Sequence, residues 1–468
     1  MGRKVEADRM FADFVEQHRD EMVSTLQALL QIPSVEGEAE PGAPFGAACR
    51  EALQFVLDLA AAHGLVTQNA DGYAGHVEYG DGDPYIAVLS HLDVVPPGNH
   101  WTYPPFGAEI HNGSVYARGA IDDKGPALAT LWALIALKEL NLRPRRKIRL
   151  IFGLDEESGW LCMKHYFSKY PQPLGGFTPD ADFPMIHAEK GVATLRIDTR
   201  ADTDSMNPRV IRFTGGDRVN MVPDHAMAVV DCHSETAAQE WEQKLGKEAR
   251  AKQIDANISV KGDAVEISVH GTSAHGSTPD LGKNAITRLA ALLSSQPVAN
   301  ASMWRAIAAQ DTAGRALGID CADDVTGSLT SNLGRAELTG DTFSFWFNIR
   351  YPVDVTGDEL VRRCQAYVSD KWGVHLVSNR DPLFVSPDSP VIRCLAQVYE
   401  QYTGNKAEPI AIGGATYARA ITNGVAFGPL FPGQPDRAHQ KDEHWSLQDY
   451  FLCTQIYAHA MFELANTL

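Results

Sequence analysis

The sequence predicts an α/β fold in which a mixed, mostly parallel sheet carries helices on both faces and is interrupted by an inserted α+β domain. Three observations support this prediction. Apolar strand-like runs alternate with helices in the first part of the chain, as in parallel sheets. From about residue 192, strand-like segments alternate apolar and polar residues, as in a sheet with one wet face. After residue 390, buried apolar segments return.

The first part of the chain supplies helices and strands in turn. Helices are predicted over 8–31, 46–63 and 124–140, and strands over 85–90 and 147–152. The first helix ends at Pro33, because proline disfavours helix in the residue before it. The third helix is apolar nearly all round, which indicates that it is buried. The strand at 85–90 is too apolar to alternate between water and core, as is typical of the centre of a parallel sheet.

The middle of the chain has a different pattern of apolar and polar residues. The predicted strands are 192–199, 209–214, 225–232, 258–262 and 265–270, and the predicted helices are 234–250, 284–295, 303–314 and 357–371. The proline- and serine-rich segment 386–390 marks the end of this part of the chain. A helix at 390–403 and strands near 409–412 and 425–428 follow. We therefore predict one domain formed by residues 1–189 and 385–468, interrupted by an inserted domain at 190–384.

Composition excludes several classes of protein. The chain has 468 residues, 44% hydrophobic and 21% charged, which is ordinary for a folded protein of two or three domains. A net charge of −18 argues against a nucleic-acid partner or an anionic membrane. The seven dispersed cysteines indicate free thiols in a reducing compartment. The charged start and the absence of an apolar run of ~18 residues add to the expectation of a cytoplasmic protein.

A histidine and an acid follow the strand at 85–90, in the triplet His91-Leu92-Asp93. The carboxyl ends of strands are where open α/β folds bind their ligands. An acid two residues from a histidine can hold the imidazole by its second nitrogen, as around metal-bound histidines. The triplet alone is equally compatible with a loop histidine and a solvated aspartate.

Further metal-ligating residue types stand beside the same predicted sheet edge. Asp122 and Asp123 precede the helix at 124–140, where aspartate also serves as a cap. Glu156 and Glu157 follow the strand at 147–152 and would repel each other there without a cation. Asp180 and His439 taken singly are typical of a surface. Two histidines, three carboxylates and a spare glutamate match the ligands and base of a pair of zinc ions sharing one bridging carboxylate.

Ordered motifs along nearly the whole chain resemble those of a known family. They read SHLDVVP at 90–96, ARGAIDDKG at 117–125, DEE at 155–157, TPDA at 178–181, NMVP at 220–223, SAHGSTP at 273–279, NIRYP at 348–352, GGATYAR at 413–419 and HQ at 439–440. The chain thus resembles the aminoacylase- and carnosinase-like co-catalytic zinc metallopeptidases, and within them the dipeptidases of the peptidase V type. The resemblance implies that the discontinuous domain is catalytic and that the inserted domain is a lid.

The resemblance also implies a ligand set for two zinc ions, with manganese or cobalt as substitutes. His91 and Asp180 would bind one ion, Glu157 and His439 the other, and Asp122 would bridge them.

Catalytic and substrate-binding roles follow from the same resemblance. Asp93 would orient His91, and Glu156 would be the general base acting on the water between the ions. His275 would stabilise the oxyanion and Arg350 would clamp the C-terminal carboxylate of the substrate. The rest of the peptide would be held by Asn220, Gly414, Ala415 and Thr416. From the residues alone, His275 and Arg350 are more typical of solvated positions on a β-rich domain.

The chain departs from the family pattern at four positions. Ser90, Ala117 and Ala415 replace glycines, and Asp442 stands where asparagine is common. None of these changes removes an expected ligand, but the methyl group of Ala415 bears on the range of substrates. The expected lid, about 195 residues, is long for the family, which implies a monomer. A sedimentation mass near twice 51.1 kDa would contradict that expectation.

These observations predict an enzyme that hydrolyses short unblocked peptides, chiefly dipeptides. One alternative keeps the metals but changes the substrate, as in an N-acyl amino acid deacylase of the aminoacylase or succinyl-diaminopimelate desuccinylase type. Another is a non-catalytic relative that binds metal or peptide, against which the intact Glu156 argues.

Overall fold

The structure is a computed structural model that describes residues 2–203 and 205–468, with residues 2–8 described by their backbone alone. The chain forms two compact units. Unit 1 comprises Met1–His187, Phe384–Ile410 and Ala415–Leu468, and unit 2 comprises Ala188–Leu383 and Ala411–Gly414. The assignment of a catalytic role to one part of the chain and a lid role to the other stays a prediction.

Helices and strands account for most of both units. The helices are α1 Gly2–Leu30, α2 Ala47–Ala62, α3 Lys124–Glu139, α4 Leu161–Lys169, α5 Glu235–Ala251, α6 Ala285–Leu293, α7 Ala301–Ala308, α8 Gly357–Tyr367, α9 Pro390–Thr403 and α10 Leu447–Thr467. Short 3₁₀ turns occur at Pro279–Leu281, Arg315–Leu317 and Tyr417–Ala420. The first twelve strands are β1 Val66–Ala70, β2 Ala74–Tyr79, β3 Ile86–His91, β4 Glu109–His111, β5 Ser114–Tyr116, β6 Ile148–Gly153, β7 Gly176–Thr178, β8 Ala181–Asp182, β9 Ile186–Glu189, β10 Gly191–Arg200, β11 Arg209–Gly215 and β12 His225–Asp231. The others are β13 Asp255–Lys261, β14 Ala264–His270, β15 Ala322–Asp323, β16 Gly327–Ser328, β17 Thr330–Thr339, β18 Thr342–Tyr351, β19 Gly373–Arg380, β20 Leu383–Phe384, β21 Ile410–Ile412, β22 Gly424–Ala426, β23 Pro429–Leu430 and β24 His444–Ser446.

A mixed sheet forms the centre of unit 1, in the order β1-β2-β6-β3-β7-β22-β9-β20. The strands β6, β3, β7 and β22 are parallel to one another, whereas β2 and β9 join this group antiparallel. All residues of β3 and β6 are buried, as the apolar sequence of β3 predicts, and those of β6 include Arg149. The predicted α/β fold with a mixed sheet is confirmed, and its parallel pairs are concentrated at the centre of the sheet.

Two helices of unit 1, α4 and α10, were not predicted from the sequence patterns. Helix α10 packs against α1, α3 and α9. Its residues from Ile456 to Met461 are all buried, with His459 among them, so no polar face marks a helical period. Helix α3 was predicted, and its residues 124–137 are all buried. None of the described helices has the length and apolarity that crossing a membrane requires.

Unit 2 is built on an eight-stranded antiparallel sheet in the order β13-β14-β12-β11-β17-β18-β10-β19. Burial alternates along β10, so one of its faces packs against a core that includes Trp304 and Phe345. The long hairpin of β17 and β18 was not among the predicted strands. The residues of β18 from Phe347 to Tyr351 alternate apolar and polar side chains, as in a strand, but all five are buried in the fold.

Candidate metal centre

His91 is the last residue of β3, at the carboxyl end of the parallel part of the sheet. Its backbone N–H donates to Asp123 Oδ2 at 3.0 Å. Its Nδ1 lies 2.9 Å from the main-chain carbonyl of Asp93, whose carboxylate Oδ1 is further away at 3.5 Å. Because a carbonyl can only accept, Nδ1 carries a proton and Nε2 is left to face the site.

Two groups of side chains meet at Asp122. Its Oδ1 lies 3.1 Å from His91 Nε2 and its Oδ2 lies 3.0 Å from His439 Nε2, so each oxygen faces a different histidine. Asp180 Oδ2 lies 3.6 Å from His91 Nε2, and Glu157 Oε1 lies 2.9 Å from His439 Nε2. The structure thus brings together all five residues that the resemblance implies as ligands.

The nitrogen that faces this site, His91 Nε2, is buried and makes no hydrogen bond to any residue that the structure describes. One ligand atom each of His91, Asp122 and Glu157 lies within 4.8 Å of the other two. An imidazole lone pair and carboxylate oxygens gathered at this distance are a donor set that suits zinc.

The histidines of the site are held in a strongly negative environment. Burial opposes the charged form of His91, but the Asp122, Asp180 and Asp93 carboxylates outweigh it and raise its pKa well above the usual value. Hydrogen bonds to Asp122 and Glu157 raise the pKa of His439 to about 11. The surrounding carboxylates therefore favour positive charge at both histidines, an environment that suits a bound cation.

The carboxyl groups of the site differ in the direction of their pKa shifts. Burial raises the pKa of Asp180 to about 6, and Asp122 adds to the effect. Burial also raises the pKa of Glu156 well above its usual value, with His91 opposing and Asp180 and Glu157 reinforcing the shift. In Asp122 the two histidines outweigh burial and lower the pKa. Unequal carboxylates in one cluster are typical of sites that both bind a cation and move a proton.

The loop after β6 is shaped by two aspartates. Asp155 accepts hydrogen bonds from Ser158 Oγ at 2.5 Å, Gly159 N at 2.6 Å and Leu161 N at 2.7 Å. Asp93 Oδ2 accepts from the backbone N–H of Glu157 at 3.1 Å. Asp93 therefore contacts His91 through its carbonyl and fixes the position of Glu157 through its carboxylate.

Asp123 occupies the N-cap position of α3, where the sequence allowed for a helix cap. Its side chain makes no capping hydrogen bond and instead accepts from the backbone of His91, as described above. Asp123 therefore supports the strand end that carries the candidate ligand.

Four of the residues predicted to bind substrate or the oxyanion lie in unit 2: Asn220, His275, Arg350 and Gly414. Arg350 is buried and donates through Nε to Asn348 Oδ1 at 3.1 Å and through Nη1 to the Gly413 carbonyl at 3.3 Å. His275 is exposed, and its Nδ1 lies 2.6 Å from Ser277 Oγ. Partial desolvation of the imidazole and the charge of the nearby Arg350 lower the pKa of His275, which favours its neutral form.

Asn220 and the loop at 413–416 complete the predicted set. The carbonyl of Asn220 accepts from the Gly276 N–H at 2.7 Å, next to His275 in the chain. Ala415 and Thr416 belong to unit 1, and Thr416 Oγ accepts from the Ala418 N–H at 3.3 Å. Their roles toward a substrate stay predictions.

Three residues around the site were not identified from the sequence. The Tyr417 ring packs edge-on against His91, with ring centroids 6.0 Å apart. Arg118 and Glu443 form a buried ion pair beside Asp122. Tyr417 and Arg118 stand inside the family-like motifs, so those motifs were the available signal, whereas nothing in the local sequence singles out Glu443.

Comparisons with known proteins agree with this geometry. Residues 87–463 match the family described as Peptidase family M20/M25/M40. A Bacillus subtilis protein named "Putative dipeptidase YtjP" is 41% identical over 459 residues, covering 96% of this chain and 98% of its own length.

Solved structures share the fold. Human carnosine dipeptidase 1 has a TM-score of 0.57 at 15% identity, covering 98% of both chains. Bacillus subtilis YXEP, described as a dinuclear metal binding peptidase from the M20 family, has a TM-score of 0.50 at 10% identity, covering 97% of this chain and 99% of its own. The predicted relationship is confirmed by the family match and by the nearly full-length relative. The chain is a member of peptidase family M20/M25/M40, and with that family it is a peptidase.

Proposed function

We propose that this peptidase is a dipeptidase that hydrolyses short unblocked peptides with the help of two zinc ions, for which manganese or cobalt can substitute. The observation that carries the proposal is the position of Asp122, whose two oxygens each face a different histidine. A carboxylate placed in this way is suited to bridge two cations. The dipeptidase name of the B. subtilis relative supports the choice of substrate.

The proposed ligands divide into two groups around Asp122. His91 and Asp180 would hold one zinc ion, and Glu157 and His439 would hold the other. When bound, two zinc ions polarise the scissile carbonyl and lower the pKa of a water molecule. The description of YXEP as a dinuclear metal binding peptidase supports the choice of two ions over one.

In this proposal, Glu156 moves the proton. It would take a proton from the attacking water and return it to the leaving amine. Asp93 would keep the proton of His91 on Nδ1 through its carbonyl, which leaves Nε2 free for metal.

We assign the catalytic role to unit 1 and the lid role to unit 2. Arg350 would bind the carboxylate at the C-terminal end of the substrate, a task that its planar guanidinium suits. His275, favoured in its neutral form, would donate to the oxyanion. Asn220, Gly414, Ala415 and Thr416 would contact the remainder of the peptide.

The decisive experiment combines metal analysis with a change at Glu156. Glu156→Gln keeps the size of the side chain but cannot accept the proton, so hydrolysis of a dipeptide should fall by roughly 10²–10⁴-fold. Both zinc equivalents should remain bound, because Glu156 is not a proposed ligand. Undiminished hydrolysis in the variant, or a wild-type protein that takes up no metal in zinc-supplemented buffer, would contradict the proposal.

A substrate panel separates the dipeptidase from the alternative deacylase. Free dipeptides should be hydrolysed, whereas N-acetyl and N-succinyl amino acids should be poor substrates. Activity confined to the acylated compounds would refute the dipeptidase assignment while leaving the metal centre intact.

We also propose a cytoplasmic monomer, and sedimentation equilibrium should give a mass near 51.1 kDa.

A further inference from the structure

A buried ion pair lies beside the candidate metal centre, within unit 1. Arg118 Nη1 donates to Glu443 Oε2 at 2.5 Å. The two side chains are 2% and 0% exposed, and they lie 325 residues apart in the chain. Placing two charges in the protein interior is costly, and such a pair often adds nothing to stability over apolar side chains. Stability alone is therefore a weak explanation for this pair.

The second oxygen of Glu443 contacts the main chain of the proposed bridging ligand. Glu443 Oε1 accepts from the backbone N–H of Ile121 at 3.0 Å and from that of Asp122 at 3.3 Å. The carbonyl of Glu443 accepts from the Ala117 N–H at 3.0 Å. Glu443 therefore anchors the segment that ends in Asp122 at three backbone groups and one side chain.

Glu443 also lies close to His439 in the chain. Glu443 follows His439 by four positions, and the His439 side chain is 53% exposed, so burial does not hold the imidazole in place. His439 has a left-handed backbone with φ of 61°. Arg118 is fixed in turn by its N–H, which donates to the Pro105 carbonyl at 2.8 Å, and by the Trp101 ring beneath its guanidinium.

We propose that Arg118 and Glu443 act as a positioning pair that sets the distance between Asp122 and His439 and thereby the affinity of the centre for metal. This inference rests on the proposed function, because it assumes that Asp122 and His439 bind a metal ion. Through Glu443, the pair connects the segment that carries His439 to the backbone N–H groups of Ile121 and Asp122. Residues that orient ligands without touching the metal commonly change metal affinity 10- to 100-fold.

Zinc affinity measured by competition with a chromophoric chelator tests the proposal. Glu443→Ala should weaken the binding of at least one zinc equivalent by roughly tenfold or more. Glu443→Gln, which keeps an oxygen for the two backbone N–H groups, should bind zinc with an affinity between those of wild type and Glu443→Ala.

The matched control is Glu78→Ala, which breaks another ion pair of unit 1. Glu78 Oε1 lies 2.5 Å from Arg149 Nη2, and neither residue contacts a proposed ligand among the described residues. A purely structural effect of losing an ion pair would appear in both variants. The positioning role predicts weaker zinc binding only after changes at Glu443.

Unfolding of the metal-free proteins in chelator separates stability from affinity. Where Glu443→Ala does not fold, Glu443→Gln and wild type decide the question by the same competition. Zinc affinity equal to wild type in the Glu443 variants, or an equal loss in Glu78→Ala, would overturn the inference. A wild-type protein without zinc affinity would instead overturn the proposed function, so the two failures are distinguishable.

Discussion

At the scale of single residues, neighbouring acids in this protein have different tasks that their sequence positions do not reveal. Asp122 faces two histidines, whereas Asp123 next to it supports the backbone of His91. Asp93 contacts His91 by its carbonyl and Glu157 by its carboxylate. The task of each acid therefore depends on which groups the fold places next to its carboxylate and carbonyl oxygens.

A buried histidine distant from the proposed ligands gives a prediction about pH. His76 is 4% exposed, and its Nδ1 lies 2.9 Å from the Tyr166 hydroxyl. Burial and the charge of Arg149 lower its pKa from 6.5 to about 4, despite the opposing Glu78 carboxylate. The folded state thus favours neutral His76. Its contribution to stability is complete above pH 6.5 and is lost as the pH falls toward 4.

We expect His76→Gln to lose less stability than wild type between pH 6.5 and 4. The difference has an upper limit of about 3 kcal/mol, because one pKa unit corresponds to about 1.4 kcal/mol. Urea unfolding in the presence of chelator measures it without interference from metal binding. Parallel pH profiles for the two proteins would contradict the prediction.

At the scale of elements, the end of β6 meets the short turn that carries Tyr417. Gly153 ends β6, and its carbonyl accepts from the Leu92 N–H at 3.0 Å. A Cβ atom at Gly153 would lie 2.2 Å from the Tyr417 hydroxyl oxygen, so a larger residue would have to displace the Tyr417 ring. Tyr417 also contacts Cys162 Sγ at 2.8 Å and packs against His91. The glycine therefore allows the strand, the tyrosine and the histidine to meet.

We expect Gly153→Ala to destabilise the protein by about 1–3 kcal/mol through overpacking. Zinc affinity should fall as well, because the displaced Tyr417 ring contacts His91. Thermal unfolding and chelator competition measure the two effects.

The control is Gly246→Ala in α5, where a new Cβ meets only the end of the Arg250 side chain at 3.8 Å. Alanine is favoured over glycine inside a helix, so this variant should gain about 0.5–1 kcal/mol and bind zinc normally. A Gly153→Ala protein as stable as wild type would contradict the prediction, because the Tyr417 ring could then move away from the new methyl group without any loss of stability.

At the scale of the whole molecule, the chain builds two units with separate sheets and separate cores. Unit 2 packs its helices against an antiparallel sheet around Trp241, Trp304 and Phe345. All five proposed metal ligands belong to unit 1. Removal of metal should therefore destabilise unit 1 and leave the stability of unit 2 unchanged.

We expect chelator to lower the unfolding temperature of unit 1 and to leave that of unit 2 unchanged. A ligand present at 100 times its dissociation constant stabilises the native state by about 2.7 kcal/mol. Scanning calorimetry with zinc and with chelator measures both transitions. The matched variant Asp122→Ala should be insensitive to chelator, and an equal shift of both transitions in wild type would contradict the prediction.

The sequence by itself determined the mixed α/β architecture, the family and the residue types available for a metal centre. Nearly continuous apolar runs identified β3, β6 and α3. Helices α4 and α10 and the β17–β18 hairpin were not predicted, although the residues of β18 from Phe347 to Tyr351 alternate apolar and polar side chains. The family-like motifs supplied the candidate ligands, because each ligand stands in a short run whose spacing is readable without the fold.

Only the tertiary structure decided which atoms meet. It placed the two oxygens of Asp122 toward different histidines and the carbonyl of Asp93 against His91. It also joined Arg118 to Glu443 across 325 residues, a pairing for which the local sequence holds no signal. The physical reason is that contacts between distant segments depend on how strands pair and helices pack, whereas a sequence pattern reports only the next few residues.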